Sequence, residues 1–410
     1  MARWIIFILV LLFIEFYAFQ AIRTLFKARW VLVAYQVVSV LILVFILYSF
    51  TQFDRSVGQT PRTLFTFGLV LLVYLPKILL MLVLFGEDLY RLGRGAINFF
   101  YRSDVDTSAF PSRRRFVSQV AIGLAAVPFL SLIYGMAVGR YNFRVIRQQV
   151  FFPDLPDAFD GFTITHLSDI HSGSFDNPDK INYAIDLINA QNADVVLFTG
   201  DIVNTHAREM HPWIDTFNRI RPHRFGKYSV LGNHDYGEYV DWPSAREKAD
   251  NFAAIKDLHR QIGFKLMLNE HTFLEKDGQR IALVGVENWG KNFKQAGDLH
   301  KATAGLPVDD FKVLLSHDPS HWDYEVKQHE KNFHLTLSGH THGLQFGIEI
   351  PGVFKWSPAQ YIYKQWAGLY EEFGRYVYVN RGFGFHAYPG RVGIMPEITV
   401  IELKKGEKLA

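Results

Sequence analysis

The sequence contains no cysteine, which excludes disulfide and thiolate chemistry from any account of its function. Histidine is missing from the first 150 residues, and all 16 histidines lie beyond them. Acidic residues are scarce in the same stretch. There, 6 Asp and Glu stand against 16 Lys and Arg, a net +10, while the remainder carries a net −7. The second part therefore lacks the basic surplus that a nucleic-acid-binding face needs, and no nucleic-acid partner is expected. Internal repeats and low-complexity segments are also absent. What remains is a 410-residue chain, long enough for a membrane region followed by one catalytic domain.

Four apolar runs stand out: Trp4–Ile22, Trp30–Phe50, Thr63–Phe85 and Phe116–Val138. Each approaches the ~20 residues that cross a bilayer, and four in succession argue against buried helices of a soluble core. Glu15 interrupts the first run, and Pro76 and Lys77 fall in the third; both ionisable groups are expected to snorkel to the interface. Arg23, Lys27 and Arg29 follow the first run, and Arg91, Arg94, Arg102 and Arg113–Arg115 follow the third. The loop between the second and third has only Arg55 and Arg62, offset in part by Asp54. Basic loops stay inside, so everything after residue 139 is expected on the extracytoplasmic side, with Arg140, Arg144 and Arg147 counting against that assignment. Ser112–Val117 resembles a twin-arginine export signal, but three preceding spans favour an ordinary basic flank, and both readings put the rest outside. No A-x-A site follows, so the anchor is expected to be retained. Residues 1–150 read as a multi-span membrane anchor and residues 151–410 as a second domain.

Phe151–Asp160, with Pro153 and Pro156, reads as the linker between the two. Strand-like runs follow at Phe162–Ser168, Asp194–Thr199, Tyr228–Leu231, Phe311–Ser316 and His334–Ser338. Ile181, Ala184, Ile185 and Ile188 repeat at helical spacing after Pro178. Ser244 and Glu247 form a capping box for a helix that turns Phe252, Ile255, Leu258 and Ile262 inward and ends at Gly263. Tyr376–Asn380 and Glu397–Leu403 look like strands without helices between them. The pattern is α/β, with two packed sheets flanked by helices.

The chemistry lies where the strand-like runs end. The first ends in Ser168-Asp169-Ile170-His171, the second in Gly200-Asp201, and the third in Gly232-Asn233-His234-Asp235. The fourth ends in Ser316-His317 and the fifth in Gly339-His340-Thr341-His342. Open α/β sheets place their sites at strand C-terminal ends. In extended segments alternate residues share a face, so Asp169 with His171, and His340 with His342, can point into one cavity.

This ordered set resembles the calcineurin-like metallophosphoesterase superfamily over residues 160–343, and more loosely to about 403. Leu167–Gly173, Gly339–Gly343 and Asn380–Gly384 are similar to its membrane-associated bacterial branch, which includes proteins similar to UDP-diacylglucosamine hydrolases. Leu344 departs from the branch where a second Gly is usual, and Met395 where an Arg is common. The resemblance implies a four-layer α/β/β/α sandwich that hydrolyses phosphoester or pyrophosphate bonds. It implies Asp169, His171 and His342 as ligands of one metal, Asn233, His317 and His340 as ligands of a second, and Asp201 as the bridge. Such donors suit Mn, Fe or Zn better than Mg or Ca, and a metal pair activates water for in-line attack on phosphorus. It further implies that His234 stabilises or protonates the leaving oxygen, with Asp235 orienting it. The remaining histidines are expected on the surface or in the core, apart from His386, a candidate substrate contact.

Membrane lipids are the expected partners, and a lipid phosphoester or lipid-linked pyrophosphate the expected substrate. Aromatic residues at Phe354, Trp356, Tyr361, Tyr363, Trp366 and Tyr370, within Pro351–Tyr370, would suit a headgroup layer or else fill the core between the sheets. The alternatives are an anchored phosphodiesterase acting on soluble nucleotides and a non-catalytic metal-binding scaffold. A transporter is disfavoured because the spans offer few polar residues for a pathway.

Overall fold

The apolar runs become four long helices in the computed structural model, which describes residues 2–101, 110–350 and 352–407. They are α1 (Ala2–Leu25), α2 (Arg29–Thr51), α3 (Pro61–Tyr101) and α4 (Phe110–Ala137), and each holds a stretch long and apolar enough to cross a membrane. At 41 residues, α3 runs past the expected end at Phe85, so Arg91 and Arg94 ride on the helix. Arg102 and Pro351 lie outside the described residues. Ala18, Ala21, Ala121 and Ala125 pack with Leu80 and Leu84, small side chains that let apolar helices approach closely.

Glu15 and Lys77 do not snorkel. Lys77 Nζ lies 2.6 Å from Glu15 Oε1, and Ser39 Oγ donates to Glu15 Oε2 at 2.7 Å, joining α1, α2 and α3. Either charge alone would be costly among apolar helices; paired and hydrogen-bonded, each offsets the other.

Residues 1–53 and 65–136 form one compact unit, and residues 54–64 with 137–410 form a second. The second begins earlier than the linker expected over Phe151–Asp160, because β1 (Arg144–Phe152) pairs in parallel with β14 (Glu397–Lys405) along its whole length. With β2 (Thr163–Leu167), β3 (Val195–Phe198), β4 (Lys227–Ser229) and β5 (Lys265–Leu266) they make a six-stranded sheet in the order β1-β14-β2-β3-β4-β5. The second sheet contains β6 (Glu270–Lys276), β7 (Gln279–Gly285), β8 (Lys312–Leu315), β9 (Leu335–Ser338), β12 (Gly368–Glu372) and β13 (Arg375–Val379), in the order β12-β13-β9-β8-β7-β6. A separate hairpin pairs β10 (Ile348–Ile350) with β11 (Phe354–Trp356).

Strand alternation explains the layering. In β3, Val195 and Leu197 join Ile164, Val230, Leu283, Val313, Leu335 and Ile401 in the core between the sheets. Val196 and Phe198 point the other way, onto Ile181, Ile185 and Ile188 of α5 (Pro178–Asn189) and Ile255 and Leu258 of α6 (Ala245–Gln261). Leu299 and Trp322 cover the outer face of the second sheet against Val284, Leu314 and Val377. The result is the α/β/β/α sandwich. Its helices start as the sequence directs: Asn177 accepts from Lys180 N at 3.1 Å before Pro178, and Ser244 accepts from Glu247 N at 3.2 Å.

Candidate metal centre and active site

In the first sheet β2, β3 and β4 run parallel, as do β7, β8, β9 and β13 in the second. Their C-terminal ends therefore open on one edge of the sandwich, and the seven expected ligand positions meet there. Asp201 is the hub: its Oδ2 lies 3.1 Å from His317 Nε2 and 3.6 Å from His171 Nε2. Asp169 Oδ1 lies 3.3 Å from His342 Nε2. Asn233 Oδ1 lies 2.7 Å from His340 Nδ1 and 3.1 Å from His317 Nε2. Potential ligand atoms gather into the groups Asp169–His171–His342, Asp201–His317–His340 and His171–Asp201–His234, each within 4.8 Å.

The backbone achieves this differently from the extended geometry expected. Asp169 (φ 53°), His171 (48°), Asp201 (58°), His340 (69°) and His342 (49°) all occupy the left-handed region, which non-glycine residues rarely adopt and which clusters at functional sites. Sharp turns, not a shared strand face, aim the side chains inward. Leu344, at φ 48°, occupies such a position too, which accounts for glycine being usual there. Gly232 and Gly339 are required for another reason: a Cβ on either would collide with the carboxylate of Asp201 or Asp169 respectively.

Surrounding groups fix the ring orientations. His171 Nδ1 meets Asn204 Oδ1 at 3.0 Å, and His317 Nδ1 meets the Thr199 carbonyl at 2.8 Å. Arg391, fully buried, places Nη2 3.0 Å from His342 Nδ1 and donates to the carbonyls of Arg381 and Gly384. Tyr363 OH lies 2.8 Å from His340 Nε2. The oxygen acceptors keep the proton of His171 and His317 on Nδ1 and leave Nε2 free to ligate. Tyr363 holds the His340 ring, and Arg391, a donor, fixes the position of His342 without setting a ligand tautomer.

His234 sits against this cluster. Its backbone N–H donates to Asp201 Oδ1 at 2.8 Å, its Nδ1 lies 2.7 Å from the Asn204 carbonyl, and its ring packs on Tyr239 (4.4 Å) and His386 (4.6 Å). Asp235 does not orient it, contrary to expectation. Both Asp235 oxygens are taken by the backbone N–H groups of Gly232, Asp201 and Ile202 at 2.8–3.0 Å. The residue ties two loops together, and Asn204 takes the orienting role. Burial and then the nearby Asp201 carboxylate push Asp235 up to about 7, while its backbone donors pull the other way. His386 packs beside both His171 (5.1 Å) and His234, whereas His166, His259 and His321 are core residues.

The cluster fits divalent cations on three observations. Asp169 and Asp201 are buried with no Lys or Arg bonded to either among the described residues. Burial lowers the pKa of His317, yet Asp201 and Asp169 outweigh it and push the imidazole up to about 10, so the site draws a positive charge to itself. Four imidazoles, two carboxylates and an amide oxygen also converge there, a donor set suited to transition metals. Asn204, Tyr239 and Arg391 escaped sequence reasoning because a single polar residue in an irregular loop carries no period and no motif.

Comparison with known proteins agrees with this geometry. Residues 162–344 match the family model "Calcineurin-like phosphoesterase", and residues 2–140 match the model "Probable Calcineurin-like phosphoesterase, transmembrane domain". The uncharacterized metallophosphoesterase YkuE of Bacillus subtilis is 32% identical over 253 residues, covering 61% of this chain and 82% of its own length. A transmembrane protein with metallophosphoesterase domain from Bos taurus is 25% identical over 389 residues, covering 90% of this chain and 81% of its own. Phosphodiesterase YaeI of Escherichia coli is 26% identical over 298 residues, covering 71% of this chain and 99% of its own. Four apolar helices followed by a two-sheet sandwich with a His- and Asp-rich cluster at its strand ends are thus accounted for together: the chain belongs to the calcineurin-like phosphoesterase family, in its transmembrane form.

Proposed function

We propose that the protein hydrolyses a phosphoester or pyrophosphate bond of a membrane-borne lipid with the help of two divalent cations. Asp169, His171 and His342 would hold one, Asn233, His317 and His340 the other, and Asp201 would lie between them. The observation that carries the reading is the convergence of these side chains from separate strand ends around Asp201. Imidazole, carboxylate and amide donors suit Mn, Fe or Zn. Bound there, such ions supply Lewis acidity toward phosphoryl oxygens and a water of lowered pKa. The chain's own groups do the rest. With Nδ1–H donating to the Asn204 carbonyl, it is the imidazolium form of His234 that carries a second proton on Nε2, and that proton would pass to the leaving oxygen. Tyr239 and His386 brace its ring, and Asp235 holds Gly232 against Asp201 so that the hub carboxylate keeps its place.

A lipid substrate is supported by the segment after the last ligand. Leu344 is exposed, and Ile348, Ile350, Phe354, Tyr361 and Ile362 are each more than half exposed. Large exposed apolar groups close together mark interaction surfaces. Tyr363, next in the chain, reaches His340, so the same segment runs from an apolar exterior to the cluster. Trp366 takes no part in such a rim, because it is buried with Ala359, Ala367 and Ile394. The basic flanks of the first and third membrane helices favour an extracytoplasmic hydrolase.

The test is turnover by the full-length protein in detergent micelles, loaded with Mn, against a lipid-linked pyrophosphate, a lipid phosphoester, a soluble chromogenic diester and nucleotides. Metal-dependent cleavage with preference for the lipid is expected. Cleavage of soluble nucleotides but never of lipid would overturn the substrate assignment, and no hydrolysis by metal-replete protein would overturn the enzyme.

A further inference from the structure

The segment joining α2 to α3 belongs to the catalytic unit. It is anchored there at several points. Asp241 N donates to the Arg55 carbonyl at 3.3 Å, and the Arg55 side chain lies 3.7 Å from Asp241 Oδ2. Gln59 goes deeper. Its Nε2 donates to Ser174 Oγ at 3.0 Å, and its Oε1 accepts from Ala387 N at 2.9 Å.

Both contacts lead to the candidate metal centre. Ser174 Oγ accepts from Asn204 Nδ2 at 3.1 Å, and Asn204 Oδ1 meets Nδ1 of His171 at 3.0 Å. The same Asn204 gives its carbonyl to His234. On the other side, Ala387 (φ 59°) follows His386, whose own N–H donates to Gln345 Oε1 at 2.6 Å. Two glutamine amide oxygens therefore hold successive N–H groups of a strained turn whose imidazole packs on His171 and His234. One side-chain amide, using its donor and its acceptor, pins the loop carrying His171 to the loop carrying His386.

We propose that Gln59, in the segment between the second and third apolar helices, is a positioning residue for His171, His234 and His386. The inference rests on reading the cluster as a metal centre. Partners one step beyond the ligands change metal affinity or activity by about 10–100-fold when removed. Gln59, one residue further out, is expected at the lower end.

Full-length Gln59→Leu, which keeps the size and loses both hydrogen bonds, is compared with Gln59→Glu, whose carboxylate can still accept from Ala387 N and from the Ser174 hydroxyl. Arg55→Ala is the control within the same segment. Mn2+ affinity is read by electron paramagnetic resonance, kcat and KM on a soluble chromogenic diester, and Tm on the metal-free protein. Gln59→Leu should weaken Mn2+ binding and lower kcat by about 10-fold, with KM within twofold; Gln59→Glu should recover most of both, and Arg55→Ala should match the wild type. A Gln59→Leu protein with wild-type Mn2+ affinity and kcat would overturn the proposal. So would a lowered Tm with unchanged Mn2+ affinity in the folded fraction, the mark of a purely structural clasp. If wild-type protein binds Mn2+ but cleaves nothing, the hydrolase reading fails while the Mn2+ comparison still decides this one.

Discussion

His234→Asn separates chemistry from architecture at this site. The contact that ties residue 234 to the hub is its backbone N–H on Asp201 Oδ1, which survives any side-chain change. The ring contributes a hydrogen bond to the Asn204 carbonyl and packing on Tyr239 and His386, so its loss should cost roughly 1 kcal/mol of stability, the size of one net hydrogen bond. What disappears is the proposed proton donor. Removing a positioned general acid lowers the rate by about 10²–10⁴-fold, or about 3–5 kcal/mol of transition-state stabilisation. The assay is kcat of metal-loaded full-length protein on esters with alkyl and p-nitrophenyl leaving groups, with bound metal measured on the same samples. The loss should be largest for alkyl esters, whose leaving oxygen needs the proton most. Equal losses for both leaving groups, or near-normal turnover, would refute the general-acid role; loss of a metal equivalent would make His234 a ligand.

Asp201→Asn should weaken both metal positions together and abolish turnover while far-ultraviolet circular dichroism stays native, because one carboxylate faces His171 and His317 alike. In metal-free protein, His317 has a folded-state pKa raised to about 10. Its contribution to stability is therefore fully present below its ordinary value of about 6.5 and lost as pH rises through 10, so the Tm of apo-protein should fall across that window and recover on adding Mn2+. Phe354→Ser with Ile362→Ser should depress lipid hydrolysis and spare a soluble diester, both side chains being exposed. Trp366→Ala should instead depress both activities and destabilise the protein by about 3–5 kcal/mol, as aromatic truncations in a core do. A C-terminal reporter should be active only outside the cytoplasm.

Much of the site was legible because metal ligation restricts residue type: only a few side chains can serve, and here they end successive strands. The same reading failed where position depends on backbone turns or on partners distant in sequence. Asp169 and His171 converge through left-handed conformations that no alternation rule anticipates. The resemblance implies Asp235 as the partner of His234, yet its oxygens serve backbone donors, two of them from another loop. Glu15 and Lys77 looked like unrelated defects in two spans because their pairing joins positions 62 residues apart. In the fold, most of β1 falls in the stretch assigned to the anchor and only Phe151 and Phe152 in the expected linker, because Pro153 and Pro156 mark a break that hides the strand before them. The β6–β7 hairpin carried a readable signal in Asp277 and Gly278, both at positive φ, the pair that a tight two-residue turn requires.

Anomalous diffraction from crystals of the protein grown with Mn2+ would show whether Asp201 bridges a pair of cations. Two Mn peaks are predicted, one contacting Asp169, His171 and His342, the other Asn233, His317 and His340, with Asp201 touching both. A single peak, or peaks away from Asp201, would contradict that arrangement.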